Sequence, residues 1–199
     1  MVAVIMMSCS SSPKQEQQAT ADETPKPTTG EVTAMNVDLE SSRVNWKGEM
    51  LGIYSHYGTV DLESASLSMQ GDMVSEGEFV IDLQTMVATD ENYSEDRPKE
   101  RLIGHLKSPD FFDVENYPTA RFVITDVSGG KVTGDLTIRG NTHSETFDDI
   151  TLQKEGDTYM VTGKLIFGRD KYDVNFETGF QDRVLSDDIE IEVELVASA

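Results

Sequence analysis

An all-β fold is what this sequence predicts: an antiparallel, lipocalin-like β-barrel of about eight strands, with a short helix near one barrel end. Three observations carry that expectation. Apolar and polar residues alternate through most of the chain after Met35, and Gly, Asn, Asp and Ser punctuate the alternation. One stretch, Ser94 to Leu106, breaks the two-residue rhythm.

The elements follow in order. Arg43-Val44-Asn45-Trp46-Lys47 alternates, and Phe79, Ile81 and Leu83 share one face of the next clear strand. Phe122 and Ile124 repeat the pattern. Val132, Leu136 and Ile138 do so around Gly134, and Tyr159, Val161, Leu165 and Phe167 around Gly163. The last strand is the plainest: Ile189, Ile191, Val193 and Leu195 alternate with charged residues from Asp188 onward. A period of two with charge on the opposite face marks a half-buried antiparallel strand. Within Ser94–Leu106, Leu102, Ile103 and Leu106 fall at helical spacing. Ser94 is placed to cap this helix and Pro98 sits early, where a helix tolerates it. The helix is expected to cover one mouth of the barrel.

Composition narrows the function. The 199 residues suit one domain plus a tail. Lys and Arg number 16 against 37 Asp and Glu, a net charge of −21. Such a chain is repelled by phosphate backbones, so nucleic acid is excluded as a partner. The three histidines, His56, His105 and His143, lie far apart and in no ligand spacing, and no nucleophile elbow is present. Asp61, Asp82, Asp187 and Asp188 read as solvated strand or turn residues. No catalytic residue and no metal site is expected.

The start of the chain has its own texture. Residues 1–8, MVAVIMMS, are apolar with a small residue last, and Cys9, the sole cysteine, follows. This resembles the end of a bacterial lipoprotein signal peptide, which implies cleavage before Cys9 and a lipid anchor on its thiol. Export signals normally open with positive charge, so the true start is expected upstream of Met1. Two or three acyl chains, at ~0.8 kcal/mol per buried CH₂, hold a protein firmly at a membrane. Residues 9–34 then form the acylated cysteine and a tether. Its Ser, Thr, Gln, Glu and Pro cannot bury enough apolar area to offset the entropy of ordering. Residues 35–199 form the barrel. The expected location is the cell envelope, as a periplasm-facing or outer-surface lipoprotein.

Three stretches are distinctive together. They are His105-Leu-Lys-Ser-Pro-Asp-Phe-Phe-Asp-Val-Glu-Asn-Tyr-Pro-Thr-Ala-Arg-Phe122, Val132-Thr-Gly-Asp-Leu-Thr-Ile-Arg-Gly-Asn-Thr142, and Phe167-Gly-Arg-Asp-Lys-Tyr-Asp-Val174 with the final strand. Their order and spacing resemble the YceI-like polyisoprenoid-binding family from about Val37 to Val196. The resemblance implies a lipocalin-like barrel with an apolar interior that holds a long isoprenoid-type lipid, such as a polyprenol or quinone precursor, for carriage or sequestration. The lipid is a non-covalent ligand and no cofactor is implied. A homodimer is also among its implications.

The inward-facing strand residues are the candidate lipid contacts: Val44, Trp46, Phe79, Ile81, Phe122, Ile124, Leu136, Ile138, Val161, Leu165, Phe167, Ile191 and Val193. Phe111, Phe112, Tyr117 and Pro118 either cap the tunnel or fold a loop over the barrel end. Each buried isoprene unit contributes at most ~4 kcal/mol, so two or three supply roughly 8–12 kcal/mol before ordering costs. A head group would lie at the mouth, beside Arg101, His105 and Lys107.

Two alternatives make different predictions. A ligand-free structural or stress-response envelope protein would have a packed barrel, whereas a dry void above about 300 Å³ along the axis favours binding. A lipid-modifying enzyme would need polar groups with perturbed pKa values converging at the mouth.

Overall fold

The structure, a computed structural model, describes residues 31–177, 179 and 184–199. The strands are β1 (Val32–Met50), β2 (Tyr54–Gln70), β3 (Met73–Ala88), β4 (Thr119–Ser128), β5 (Lys131–Ile138), β6 (Asn141–Glu155), β7 (Thr158–Gly168) and β8 (Leu185–Ser198). Each pairs antiparallel with the next, and β8 returns to β1, so the sheet closes into an eight-stranded barrel. The predicted fold class is the observed one.

Closure follows from the alternation. Phe79 stands opposite Phe122, and Phe122 opposite Leu136. Leu165 and Trp46 both face Ile191 across their ladders, and Val44 faces Val193. Side chains directly opposite one another share a face of the sheet, so one inward ring of apolar residues is carried from strand to strand. Bulges bend the long strands. In β1, Asp38 Oδ1 accepts the N–H groups of Glu40 and Ser41 at 3.1 Å each, and the Ser42 hydroxyl donates to Asp38 O at 2.6 Å. The same hydroxyl accepts from the Val196 N–H at 3.0 Å, which stitches the bulge to β8.

The two barrel ends differ. One, the hairpin end, carries both termini of the barrel and three two-residue turns. At Gly129-Gly130 both φ angles are positive, 59° and 77°, the geometry that a tight hairpin requires. The other, the helix end, carries α1 (Lys99–Lys107), a 3₁₀ turn (Arg169–Tyr172) and the longer connections.

The helix begins later than its sequence predicts. Ser94 does not cap it; instead it forms an isolated bridge with Arg97. Pro98 occupies the N-cap position in extended geometry and no side chain caps the helix. A proline pushes the residue before it out of the helical region, so Arg97 cannot belong to the first turn.

Candidate functional site: an axial apolar cavity

A cavity of about 280 Å³ runs inside the barrel. It extends from Met50, Phe176 and Leu185 at the helix end to Leu67, Val74 and Val132 toward the hairpin end. No Lys, Arg, Asp or Glu among the described residues lines it. Its volume falls just under the 300 Å³ mark set above.

Two inward positions lack side chains, and neighbouring side chains pack into the room they leave. A Cβ on Gly134 would lie 2.5 Å from Phe122 Cζ, and one on Gly163 would lie 2.6 Å from Ile150 Cδ1. The Phe122 and Phe147 rings meet edge-on at 5.1 Å in the space this opens.

All of the candidate contacts stand on the cavity wall: Val44 and Trp46 on β1, Phe79 and Ile81 on β3, Phe122 and Ile124 on β4, Leu136 and Ile138 on β5, Val161, Leu165 and Phe167 on β7, Ile191 and Val193 on β8. Cys9 lies outside the described residues. Val60, Leu62 and Leu67 of β2, with Phe147 and Ile150 of β6, also line the wall and were not among the candidates. Alternation at Val60, Leu62, Leu67 and Met69 was the available signal, diluted by Ser64, Ser66 and Ser68.

The aromatic loop after α1 divides. Phe111 and Phe112 reach the cavity, whereas Tyr117 is exposed and Pro118 offers its carbonyl to the Leu83 N–H at 2.9 Å. The three histidines also separate. His56 lies on β2 and lines the cavity, as does His105 on α1. His143 lies on β6, edge-on to Tyr172 at 5.2 Å. Of the residues expected near a head group, Lys107 is occupied, with Nζ donating to Gln84 O at 2.6 Å, and Arg101 is exposed.

Around the helix end the distinctive motifs meet. Arg139 donates from one nitrogen to Phe111 O and to Asp173 O, both at 2.7 Å, so the central motif ties together the other two. Arg169, 4 % exposed, donates to Val174 O at 2.6 Å and Ser186 O at 3.0 Å and pairs with Asp187 at 2.9 Å. Asp187 is therefore a partner, not merely a solvated residue. Tyr172 is 0 % exposed; its hydroxyl donates to Glu145 Oε1 at 3.1 Å, beside Lys171 Nζ at 2.8 Å. Burial and the Glu145 charge push the Tyr172 phenol above its ordinary range.

A second knot anchors the end of β3. The Asp90 side chain, 1 % exposed, accepts from the Tyr93 hydroxyl at 2.6 Å, the Asn92 N–H at 3.0 Å and the Tyr57 N–H at 3.3 Å, and meets His56 Nδ1 at 3.1 Å. Burial alone would raise its pKa, but these hydrogen bonds outweigh it and hold the carboxyl below its ordinary value. Burial and the adjacent Asp90 push the Tyr93 phenol up. His56 stacks on Tyr93 at 5.2 Å. This is the polar convergence an enzyme would need, yet its donors are spent on one carboxylate that ties a loop to β2.

The chain is a closed up-and-down β-barrel with a largely carbon-lined axis and a helix over one mouth, an architecture whose interior is either filled by side chains or open to one small ligand. The YceI-like domain model matches residues 35–197, and the chain belongs to that family. A UPF0312 protein of Staphylococcus epidermidis is 30% identical over 158 residues, 75% of this chain and 87% of the relative. The crystal structure of Burkholderia cenocepacia BcnA superposes with a TM-score of 0.64 at 23% identity, covering 82% of this chain and 100% of that one. A polyisoprenoid binding domain from Saccharophagus degradans, implicated in plant cell wall breakdown, superposes with a TM-score of 0.54 at 14% identity, covering 85% of this chain and 99% of that one. These two likenesses establish the shared fold.

Proposed function

We propose that this protein binds an isoprenoid-type lipid, a polyprenol or quinone precursor, in its barrel, for carriage or sequestration in the cell envelope and without chemical conversion. The observation that carries the reading is the axial cavity of about 280 Å³ with no Lys, Arg, Asp or Glu on its wall among the described residues. Each buried isoprene unit supplies at most ~4 kcal/mol from burial alone, before association costs. The polyisoprenoid-binding description of the Saccharophagus degradans domain supports the ligand class. A longer chain would extend past the helix-end mouth or part the wall. Membrane attachment through an acylated Cys9 belongs to the same proposal and rests on the sequence pattern around it.

Native mass spectrometry tests the binding. Protein purified from bacterial membranes is expected to carry one apolar adduct. Ile191→Trp, which fills the cavity, is expected to lose that adduct while keeping the β-sheet circular dichroism of the parent. A parent protein that stays bare after incubation with polyprenols and quinones sinks the proposal and puts the packed-barrel alternative first.

A further inference from the structure

The cavity wall carries one polar atom with nothing to bond. Among buried side-chain nitrogens and oxygens of the described residues, His105 Nε2 alone lacks a hydrogen-bond partner. Its ring lies between two aromatic neighbours, 4.4 Å from Phe176 and 5.8 Å from Phe111, both steeply inclined to it. All three residues line the cavity near the helix end. A buried polar group left unpaired is costly, and each one in a native fold calls for a reason. A single water answers poorly here. Ordered buried waters keep two to four polar partners, and the rings beside His105 offer carbon.

Resting on the lipid-binding reading above, we infer that His105 selects the ligand's head: an uncharged hydroxyl or carbonyl oxygen that hydrogen-bonds Nε2, on an isoprenoid that is not a diphosphate. A neutral imidazole nitrogen serves a hydroxyl as acceptor or a carbonyl as donor, according to its tautomer. The charge selectivity has a separate basis. Lys107 is held by Gln84 O, Arg139 by Phe111 O and Asp173 O, and Arg169 by Val174 O, Ser186 O and Asp187. None of them lines the cavity, and Arg101, exposed on α1, does not line it either. An oxygen that reaches a buried Nε2 leaves water behind. For a phosphate with no cation beside it among the described wall residues that desolvation is severe, whereas a single hydroxyl or carbonyl loses far less.

Three probes of the same two-isoprene length test this on the intact protein: geraniol, the oxygen-free hydrocarbon myrcene, and geranyl diphosphate. Binding is read from the fluorescence of Trp46, the sole tryptophan and itself a wall residue. Geraniol is expected to bind about tenfold more tightly than myrcene, the ratio one net hydrogen bond gives, and more tightly than geranyl diphosphate. In His105→Phe the geraniol-to-myrcene ratio is expected to fall to about one. His105→Gln, whose amide keeps a polar group at that reach, is expected to retain a ratio above one. Equal binding of geraniol and myrcene to the parent overturns the head-group role and leaves lipid binding intact. So does a ratio that survives in His105→Phe, or a preference for the diphosphate. Failure of all three probes overturns both readings.

Discussion

The two ends of the barrel are built by different physics. The hairpin end is closed by short turns and backbone hydrogen bonds, and its ion pair Lys131–Asp148 has both side chains largely in solvent, 60% and 53% exposed. Its one buried polar side chain among the described residues, Ser42, serves a bulge. The helix end holds Asp90, Asp113, Glu145 and Arg169, all buried. Asp90, Asp113 and Arg169 lie where the chain departs from the ladder and bond loop backbone groups that no neighbouring strand satisfies, whereas Glu145, on β6, accepts from Tyr172 and Lys171 of the 3₁₀ turn. The mouth of a carbon-lined cavity is thus framed by a rigid polar collar. Two of the four, Asp113 and Arg169, lie in the motifs that distinguish the family, while plain alternation supplies the wall.

Breaking the collar gives the largest expected effect. Arg169→Met strands the carbonyls of Val174 and Ser186 and removes the partner of Asp187. Urea unfolding is expected to show a loss of about 3–5 kcal/mol. A loss below 1 kcal/mol would mean that the buried guanidinium does not hold the mouth.

Asp90→Asn is expected to cost less, about 1–3 kcal/mol at neutral pH, and it carries a pH signature. The folded carboxyl sits below its ordinary value of 3.8. Its contribution is therefore fully present above that value and fades as pH falls through the folded pKa. Parent stability should drop across that acidic window, and the Asn variant should be flatter there. Parallel pH profiles from acid titration of the unfolding midpoint would remove Asp90 as the source.

The contrast also explains what could be read in advance. Strand β8 was legible because Ile189 to Leu195 alternates without a break, and register follows from such a pattern. Strand β2 was obscured by serines on its outer face, which read as turn residues. The helix was legible at Leu102, Ile103 and Leu106 but not at its start, where the constraint Pro98 places on Arg97 outweighs the capping preference of Ser94. The collar was illegible. Arg139 bonds the carbonyls of Phe111 and Asp173, and nothing in a side-chain pattern announces a backbone acceptor some thirty residues away. The cavity was half-legible. Its wall follows from alternation, but a void depends on the summed volumes facing the axis, and alternation does not report that sum. His105 was placed near the mouth by its motif. Its buried Nε2 emerges only once Phe111 and Phe176 are folded against it.

The smallest expected effect closes the comparison. Lys131 and Asp148 approach to 2.6 Å, shorter than any contact Arg169 makes to its carboxylate. Hydrogen bonding to Asp148 raises the Lys131 pKa. Distance alone would rank this pair as the stronger. Both partners stay hydrated when apart, however, and pairing them costs side-chain entropy, so exposed pairs add little. Lys131→Ala is expected to leave the urea midpoint within error of the parent, and any difference should vanish in molar salt. A midpoint shift as large as that of Arg169→Met would show that proximity, not burial, sets the worth of these contacts, and the distinction between the two ends would fall.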